Sequence, residues 1–371
     1  MLAGVIGATG YAGAELVRLL SGHPEVTDIL SASVSHHGES IESVFPQFVH
    51  ARLGTLLEPA DLIARSDIVF GALPSGKGEA YAKACLDRGV SYIDLSADFR
   101  FDEDEEAYRA WYGKSYDYGE LRKRSVYGLC ELNREKIKTL AGQGPLIIGN
   151  PGCYPTAVSL AAFPVMAGAA GVVPSGYIIA DAISGVTGAG RETGRAYHFP
   201  ECADSASPYK VGSHRHTPEI FRNLNNMSGP DTRPRGGIQL VFTPHLGPFN
   251  RGILATVYFP LDGCGRPAEC RPAAAELAEK TARIRDACAA FYHDEPFVRV
   301  LPAPLAAATN RVRHSNYCDL SIHLDQSGAT LIIVSAIDNM VKGAAGQAIQ
   351  NMNLICGFDE RRGLEALPAL F

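Results

Sequence analysis

The sequence predicts an α/β protein of two domains. The first is a doubly wound, nucleotide-binding domain; the second is an α+β domain with a mainly antiparallel sheet. Three observations lead there. A glycine turn, Gly7-Ala8-Thr9-Gly10-Tyr11-Ala12-Gly13, stands between an apolar run and an apolar-faced helix at the start of the chain. The 371 residues exceed what one core usually fills. Later in the chain, strand patterns follow one another without intervening helices.

The elements justify this in order. Leu2-Ala3-Gly4-Val5-Ile6 reads as a short buried strand, and Ala14 to Leu20 as a helix with Leu16, Leu19 and Leu20 on one face. The turn between them has the spacing G-x-x-G-x-x-G, a variant of the Rossmann dinucleotide fingerprint. Gly7 permits the tight turn, Gly10 lets the backbone approach a pyrophosphate, and Gly13 lets helix pack on strand. Thr9, Tyr11 and Ala12 complete the expected phosphate cradle at the helix N-terminus. A glycine turn without a ligand is the bland alternative. The second strand, about residues 27–34, ends in Ser31, Ser33, Ser35, His36 and His37, with no acidic residue before Glu39. An NAD site usually places a carboxylate there to hold the ribose hydroxyls. Its absence favours NADP(H), with Ser33 beside the 2′-phosphate.

Strands at 67–73 and 90–95 flank a helix at 78–88, and the second strand runs into Asp94-Leu95-Ser96-Ala97-Asp98-Phe99-Arg100. Carboxyl ends of strands form the ligand crevice of such sheets, and Arg100 carries a fork suited to phosphate or carboxylate. A surface ion pair with the acidic run at 102–106 is the alternative. Further helices are expected at 103–111 and 131–141.

Leu146-Ile147-Ile148 then leads through Gly149-Asn150-Pro151-Gly152 to Cys153, and residues 156–166 read as an apolar helix. A thiol at a helix start feels the positive end of the helix dipole, which favours thiolate. Cys153 is therefore a candidate nucleophile; a buried cysteine filling a strand–helix junction is the alternative. The domain boundary is expected here: residues 1–151 form the nucleotide-binding domain, 152–337 the catalytic domain, and 338–371 return as a helix to the first.

In the second domain a strand at 176–183 precedes Ser184-Gly185-Val186-Thr187-Gly188-Ala189-Gly190-Arg191, a loop of small donors that could hold an anion, with Arg191 as charge partner. His214-Arg215-His216-Thr217-Pro218-Glu219 opens a helix, with Thr217 as its expected cap. In an extended approach to that helix His214 and His216 would point the same way. They lack a neighbouring thiol or carboxylate to complete a metal set, so no metal is expected. Strands at 238–245 and 252–259 are expected to pair antiparallel. Residues 317–324 and 330–337 read as a hairpin around Asp325-Gln326-Ser327-Gly328.

Composition narrows the functional classes. The chain is 46% hydrophobic and 20% charged, with a formal charge of −6, and no basic run points to nucleic acid or a membrane surface. Nine scattered cysteines without a C-x-x-C pair argue against a disulfide framework and for a reducing compartment, the cytoplasm. The N-terminus lacks the basic start of a signal peptide. Residues 139–180 carry no charge, but five prolines divide them, so no membrane span is expected.

The stretches GATGYAGAEL, DLSADFR, GNPGCYPT, SGVTGAGR, HRHTPE and DNMVKGAAGQAIQNMN, in this order, resemble the N-acetyl-γ-glutamyl-phosphate reductases, the arginine-pathway branch of the semialdehyde dehydrogenase group. The resemblance covers nearly the whole chain. It implies NADPH-dependent reductive dephosphorylation of an acyl phosphate to an aldehyde, with inorganic phosphate as co-product. It places the nucleophile on Cys153 and the acid/base on a histidine of the HRH segment, taken as His214, with His216 as the other candidate. It assigns substrate contacts to Arg100, Ser184, Arg191 and His216, and a cofactor contact to Asn339. It also implies a homodimer or homotetramer. An aspartate- or aminoadipate-type semialdehyde dehydrogenase is the runner-up. A silent NADP-binding regulator is a third reading, which the joint presence of Cys153 and the histidines opposes.

Overall fold

The computed structural model describes residues 1–371 except 52, 103, 230, 231, 233, 235, 262–271 and 371. Two of the nine cysteines, Cys264 and Cys270, lie outside the described residues. The other seven are free thiols. The chain divides into two compact units.

The first unit comprises Met1–Gly152, Gly190–Glu192 and Met340–Ala366. Its elements run β1 (Leu2–Ile6), α1 (Tyr11–Leu20), β2 (Asp28–Ala32), α2 (Ile41–Val44), α3 (Pro59–Arg65), β3 (Ile68–Gly71), α4 (Glu79–Asp87), β4 (Ser91–Asp94), α5 (Glu105–Tyr112), β5 (Ser125–Tyr127), α6 (Cys130–Ala141) and β6 (Ile147–Gly149). The six strands form one parallel sheet in the order β2-β1-β3-β4-β6-β5. Covered on both faces by helices, such strands need no polar alternation. Accordingly, all four residues of β3 and all four of β4 are buried. The order reverses beside β1, which opens a crevice at the carboxyl ends of the strands.

The second unit comprises Cys153–Ala189, Thr193–Asn339 and the residues from Leu367 onward. Its elements are α7 (Cys153–Met166), β7 (Tyr177–Ser184), α8 (Phe199–Cys202), β8 (Ser207–Pro208), α9 (Thr217–Met227), β9 (Gln239–Leu246), β10 (Ile253–Pro260), α10 (Ala274–Phe291), β11 (Val298–Val300), β12 (Cys318–Leu324) and β13 (Thr330–Ile337). The seven-stranded sheet has the order β11-β12-β13-β10-β7-β9-β8. It is antiparallel except for the β11–β12 and β7–β9 pairs. Helix α7 is apolar all round, which suits a helix enclosed on every side. It packs across β10 and β13 on one face and against α9 on another. Strand β10 alternates strictly between buried and half-buried residues, as expected where one sheet face meets α7.

Several expectations are corrected. Strands β9 and β10 do not pair: β7 lies between them, because Gly247 N–H bonds to Ser184 O and the connection crosses the end of β7. Helix α9 begins at Thr217 itself, with His216 in the cap position. Residues 190–192 group with the first unit, where Arg191 bonds to Thr9. Residues after Ala366 group with the second, where Ala369 N–H bonds to Arg313 O. After β13 the chain forms a π-helical turn (Val341–Ala345) that continues as α11 (Gly346–Cys356), packed on α6 and α1 in the first unit.

Candidate active site

Cys153 is the first residue of α7 and is half-buried. The strand that delivers it ends at Gly149, where a Cβ would lie 2.0 Å from Phe99 O, so only glycine fits. Asn150 then fixes the loop: its N–H donates to Asp94 O (2.8 Å) and its side-chain amide donates to Ala344 O (3.0 Å). Arg100 belongs to this support. It is buried, and its guanidinium donates to Asn150 O (2.8 Å) and Leu95 O (2.9 Å), tying together the ends of β4 and β6.

The second unit holds a cavity of about 320 Å³. Its wall includes Cys153, Tyr154, Ser184, Tyr209, Lys210, His214, Arg215 and His216. Both histidines of the HRH segment thus reach the same cavity as the thiol, but not by strand alternation. The segment is a turn, with Thr217 N–H bonded to His214 O (2.9 Å) and His216 in a helical conformation. The rings of His214 and His216 stand 4.8 Å apart, and Tyr154, Tyr209 and Phe242 surround His214 edge-on at 5.4–5.7 Å.

This enclosure sets the chemistry of His214. Burial, aided by the positive charges of Arg215 and Lys210, pulls its pKa down to about 4. Its Nδ1 accepts the backbone N–H of His216 at 3.1 Å. A backbone N–H can only donate, so neutral His214 carries its proton on Nε2. His214 is therefore a hydrogen-bond donor in the resting protein. Ser184 ends β7, buried, with its hydroxyl donating to Gly185 O (3.0 Å). The following loop runs tight against a neighbouring turn, since a Cβ on Gly185 would lie 2.4 Å from Asn250 O. Asn339 braces that loop: its oxygen accepts from Gly252 N–H (2.8 Å) and its nitrogen donates to Thr187 Oγ1 (3.1 Å). Among the described residues no cluster of three His, Cys, Asp or Glu could hold a metal, and no helix is long and apolar enough to cross a membrane.

In the first unit the glycine turn has the shape a dinucleotide requires. Gly7 has φ +84°, and a Cβ there would strike Ala72 O; a Cβ on Gly13 would lie 2.2 Å from Gly7 O. Gly10 is different, with no atom closer than 3.5 Å to an added Cβ, so the space a Cβ would take there is free for a phosphate. Helix α1 starts just beyond, with Tyr11 and Ala12 in its first turn and no acidic residue there. Ser33 is buried and links Thr9 Oγ1 (3.0 Å) to Ser35 Oγ (3.3 Å). Arg191 stands on the same turn: its guanidinium donates to Thr9 O (3.1 Å) and lies over the Phe45 ring. It was expected as an anion partner of the loop in the second domain; its contacts are with the dinucleotide turn instead.

Tyr154, Tyr209, Lys210 and Arg215 line the same cavity and are not among the site residues expected from the sequence. Tyr154 follows Cys153 directly, a signal that could have found it. Tyr209 and Lys210 come from a segment without regular pattern, and only the fold brings them to the wall.

Comparison with known proteins agrees with this division. The family model described as semialdehyde dehydrogenase, NAD binding domain, matches residues 3–140, and the one described as semialdehyde dehydrogenase, dimerisation domain, matches 153–339. The chain is 46% identical over 369 residues to N-acetyl-gamma-glutamyl-phosphate reductase of Clostridium kluyveri, covering 99% of each. It is 44% identical to the protein of the same name from Symbiobacterium thermophilum, covering 97% of this chain and 96% of that one. Among solved structures it resembles aspartate semialdehyde dehydrogenase II complexed with ASA from Vibrio cholerae (TM-score 0.67, 14% identity, 96% and 98% coverage). It also resembles the aspartate semialdehyde dehydrogenase with NADP from Candida albicans (TM-score 0.64, 17% identity, 96% and 98% coverage). At these identities the structural likeness speaks for the fold alone.

Proposed function

The chain belongs to the N-acetyl-γ-glutamyl-phosphate reductase family of the semialdehyde dehydrogenases, and from that premise we propose its reaction. It reduces N-acetyl-γ-glutamyl phosphate to N-acetylglutamate semialdehyde with NADPH and releases phosphate, a step of arginine biosynthesis. The observation that carries this reading is one cavity holding a thiol at a helix start, a proton-bearing imidazole and two cationic side chains. An aspartate-type substrate is supported by fold likeness only.

The residues divide the work as follows. Cys153, as thiolate, attacks the acyl carbon, and phosphate leaves to give a thioester on Sγ. The acyl oxygen gains negative charge during the attack, and the Nε2–H of His214 is the donor that stabilises it. When bound, NADPH supplies the hydride that reduces the thioester carbon. His214 again supports the negative oxygen of the resulting thiohemiacetal, whose collapse releases aldehyde and restores the thiolate. Lys210, Arg215 and His216 attract the anionic ends of the substrate, and Ser184 offers its oxygen. Arg100 contributes by holding the loop before Cys153. Gly7, Thr9, Gly10, Tyr11, Ala12, Gly13 and Ser33 would hold the dinucleotide, with Arg191 beside them, and Asn339 braces the loop after Ser184. A homodimer or homotetramer in the cytoplasm completes the reading. The match of residues 153–339 to a dimerisation domain supports assembly, as does the sheet face turned from α7, where Tyr177 and Val241 are exposed.

The test is acyl trapping. With the acyl phosphate and no NADPH, the wild-type protein should carry the substrate's acyl group on Cys153 by mass spectrometry. Cys153→Ser should show no thioester, bind NADPH normally and lose about a thousandfold or more in turnover. A substantially active Cys153→Ser protein would overturn the assignment.

A further inference from the structure

Two hydroxyls on the cavity wall have their hydrogens committed in one direction. Tyr154 donates to the carbonyl oxygen of His245 at 3.1 Å, and a carbonyl can only accept. Tyr209 donates to the Tyr154 hydroxyl at 3.2 Å, whose own hydrogen is already engaged. The relay therefore runs Tyr209 to Tyr154 to His245. Neither phenol ionises near neutrality, since burial pushes Tyr209 up to about 12 and Tyr154 higher still. Tyr209 is also fixed in place. Its backbone N–H bonds to Pro244 O (3.1 Å), and its ring stands edge-on to His214 at 5.4 Å. At the head of the relay, the Tyr209 oxygen has only lone pairs to present to the cavity.

The rest follows from the polarity of the substrate proposed above, on which this inference rests. Its phosphoryl group, carboxylate and carbonyls all accept hydrogen bonds. Its one donor is the amide N–H of the acetylated nitrogen. We infer that Tyr209 accepts this amide N–H and so reads the N-acyl group of the substrate. Lys210 and Arg215, on the same wall, supply donors for the anionic ends. An ester oxygen in place of the N–H would set lone pair against lone pair. Tyr209 could relieve that only by withdrawing its hydrogen from Tyr154.

The experiment runs the reaction in the oxidative direction, with phosphate and NADP⁺, on two aldehydes. One is N-acetylglutamate semialdehyde; the other is its O-acetyl analogue, in which an ester oxygen replaces the amide N–H. The wild-type protein should favour the amide by roughly ten- to a hundredfold in kcat/KM. Tyr209→Phe should lower kcat/KM for the amide by a similar factor and leave the ester within about twofold, so the preference collapses. Tyr154→Phe frees the Tyr209 hydrogen to turn toward the cavity. It should shrink the preference although Tyr209 is still present, which covers the case of a poorly folding Tyr209 variant. Equal use of the two aldehydes by the wild type, or equal losses for both in Tyr209→Phe, would overturn the inference while leaving the reductase activity standing. Failure of the wild type to oxidise the N-acetyl aldehyde would instead refute the activity from which it starts.

Discussion

His214 shows how a single side chain is tuned by its surroundings. A free imidazole titrates near 6.5. Burial against three aromatic rings and the nearby charges of Arg215 and Lys210 bring it to about 4. The neutral form, with its proton on Nε2, is thus present throughout the neutral range. Protonating Nδ1 removes the acceptor that takes the His216 N–H and orients the ring, so the acidic limb of kcat/KM attributable to His214 should fall near pH 4, and His214→Asn should remove it together with most of kcat. A limb that persists unchanged in His214→Asn belongs to another group. The same shift governs stability. The folded pKa lies below the unfolded one, so the unfolded chain binds the extra proton between about pH 6.5 and 4. The associated stability is complete above that window and lost on descending through it. Denaturation midpoints should fall more steeply from pH 7 to pH 4.5 in the wild type than in His214→Asn.

The glycine turn and α1 separate folding from binding within one element. At Gly13 an added Cβ meets Gly7 O at 2.2 Å and Ala8 Cα at 2.8 Å, backbone atoms that cannot swing away. Gly13→Ala should therefore destabilise the protein by about 1–3 kcal/mol, measured as a lower urea midpoint. At Gly10 the space is open to 3.5 Å, so Gly10→Ala should fold with an unchanged midpoint. Its methyl group nevertheless occupies the approach of the pyrophosphate, and NADPH should bind at least about tenfold more weakly in a fluorescence titration. Similar losses of stability in both variants would show that the turn is only a packing device. The histidine turn before α9 obeys the same local logic. Pro218 near the helix start fixes where α9 begins, and the backbone bend leaves His214 and His216 on one wall.

Across the first unit, the returning C-terminal segment is locked by charge as well as packing. Lys342 is fully buried and donates to Glu131 Oε1 (2.6 Å) and Gln350 Oε1 (2.7 Å). Gln350 continues to Glu360, which Arg134 holds from α6. Burial alone would raise the Glu131 carboxyl, but the Lys342 charge and hydrogen bonds bring it below its ordinary value. Removing one partner strands the other without compensation. Lys342→Met should destabilise the protein by about 3–5 kcal/mol in urea, and adding Glu131→Gln should recover part of that loss. If the double variant is as unstable as the sum of the singles, the two groups are not coupled.

The sequence by itself determined what local physics controls. Gly7 and Gly13 mark the turn because only glycine tolerates the positive φ at the first and the close backbone contacts at both. Asp325 to Gly328 marks a hairpin because Asp325 caps its own turn through Ser327 and Thr330, and Gly328 takes φ +68°. Cys153 at a helix start is likewise written in the order of strand, glycine and helix. Tertiary structure alone decided the rest. Strand order is a matter of non-local pairing, so β7 could come between β9 and β10 without any sign in either strand. Arg191 reaches Thr9 across 182 positions of sequence, and Tyr209 joins the cavity from a patternless segment. The pKa of His214 depends on which rings and charges close around it, and desolvation is set by the folded surroundings rather than by the residue's neighbours in the chain.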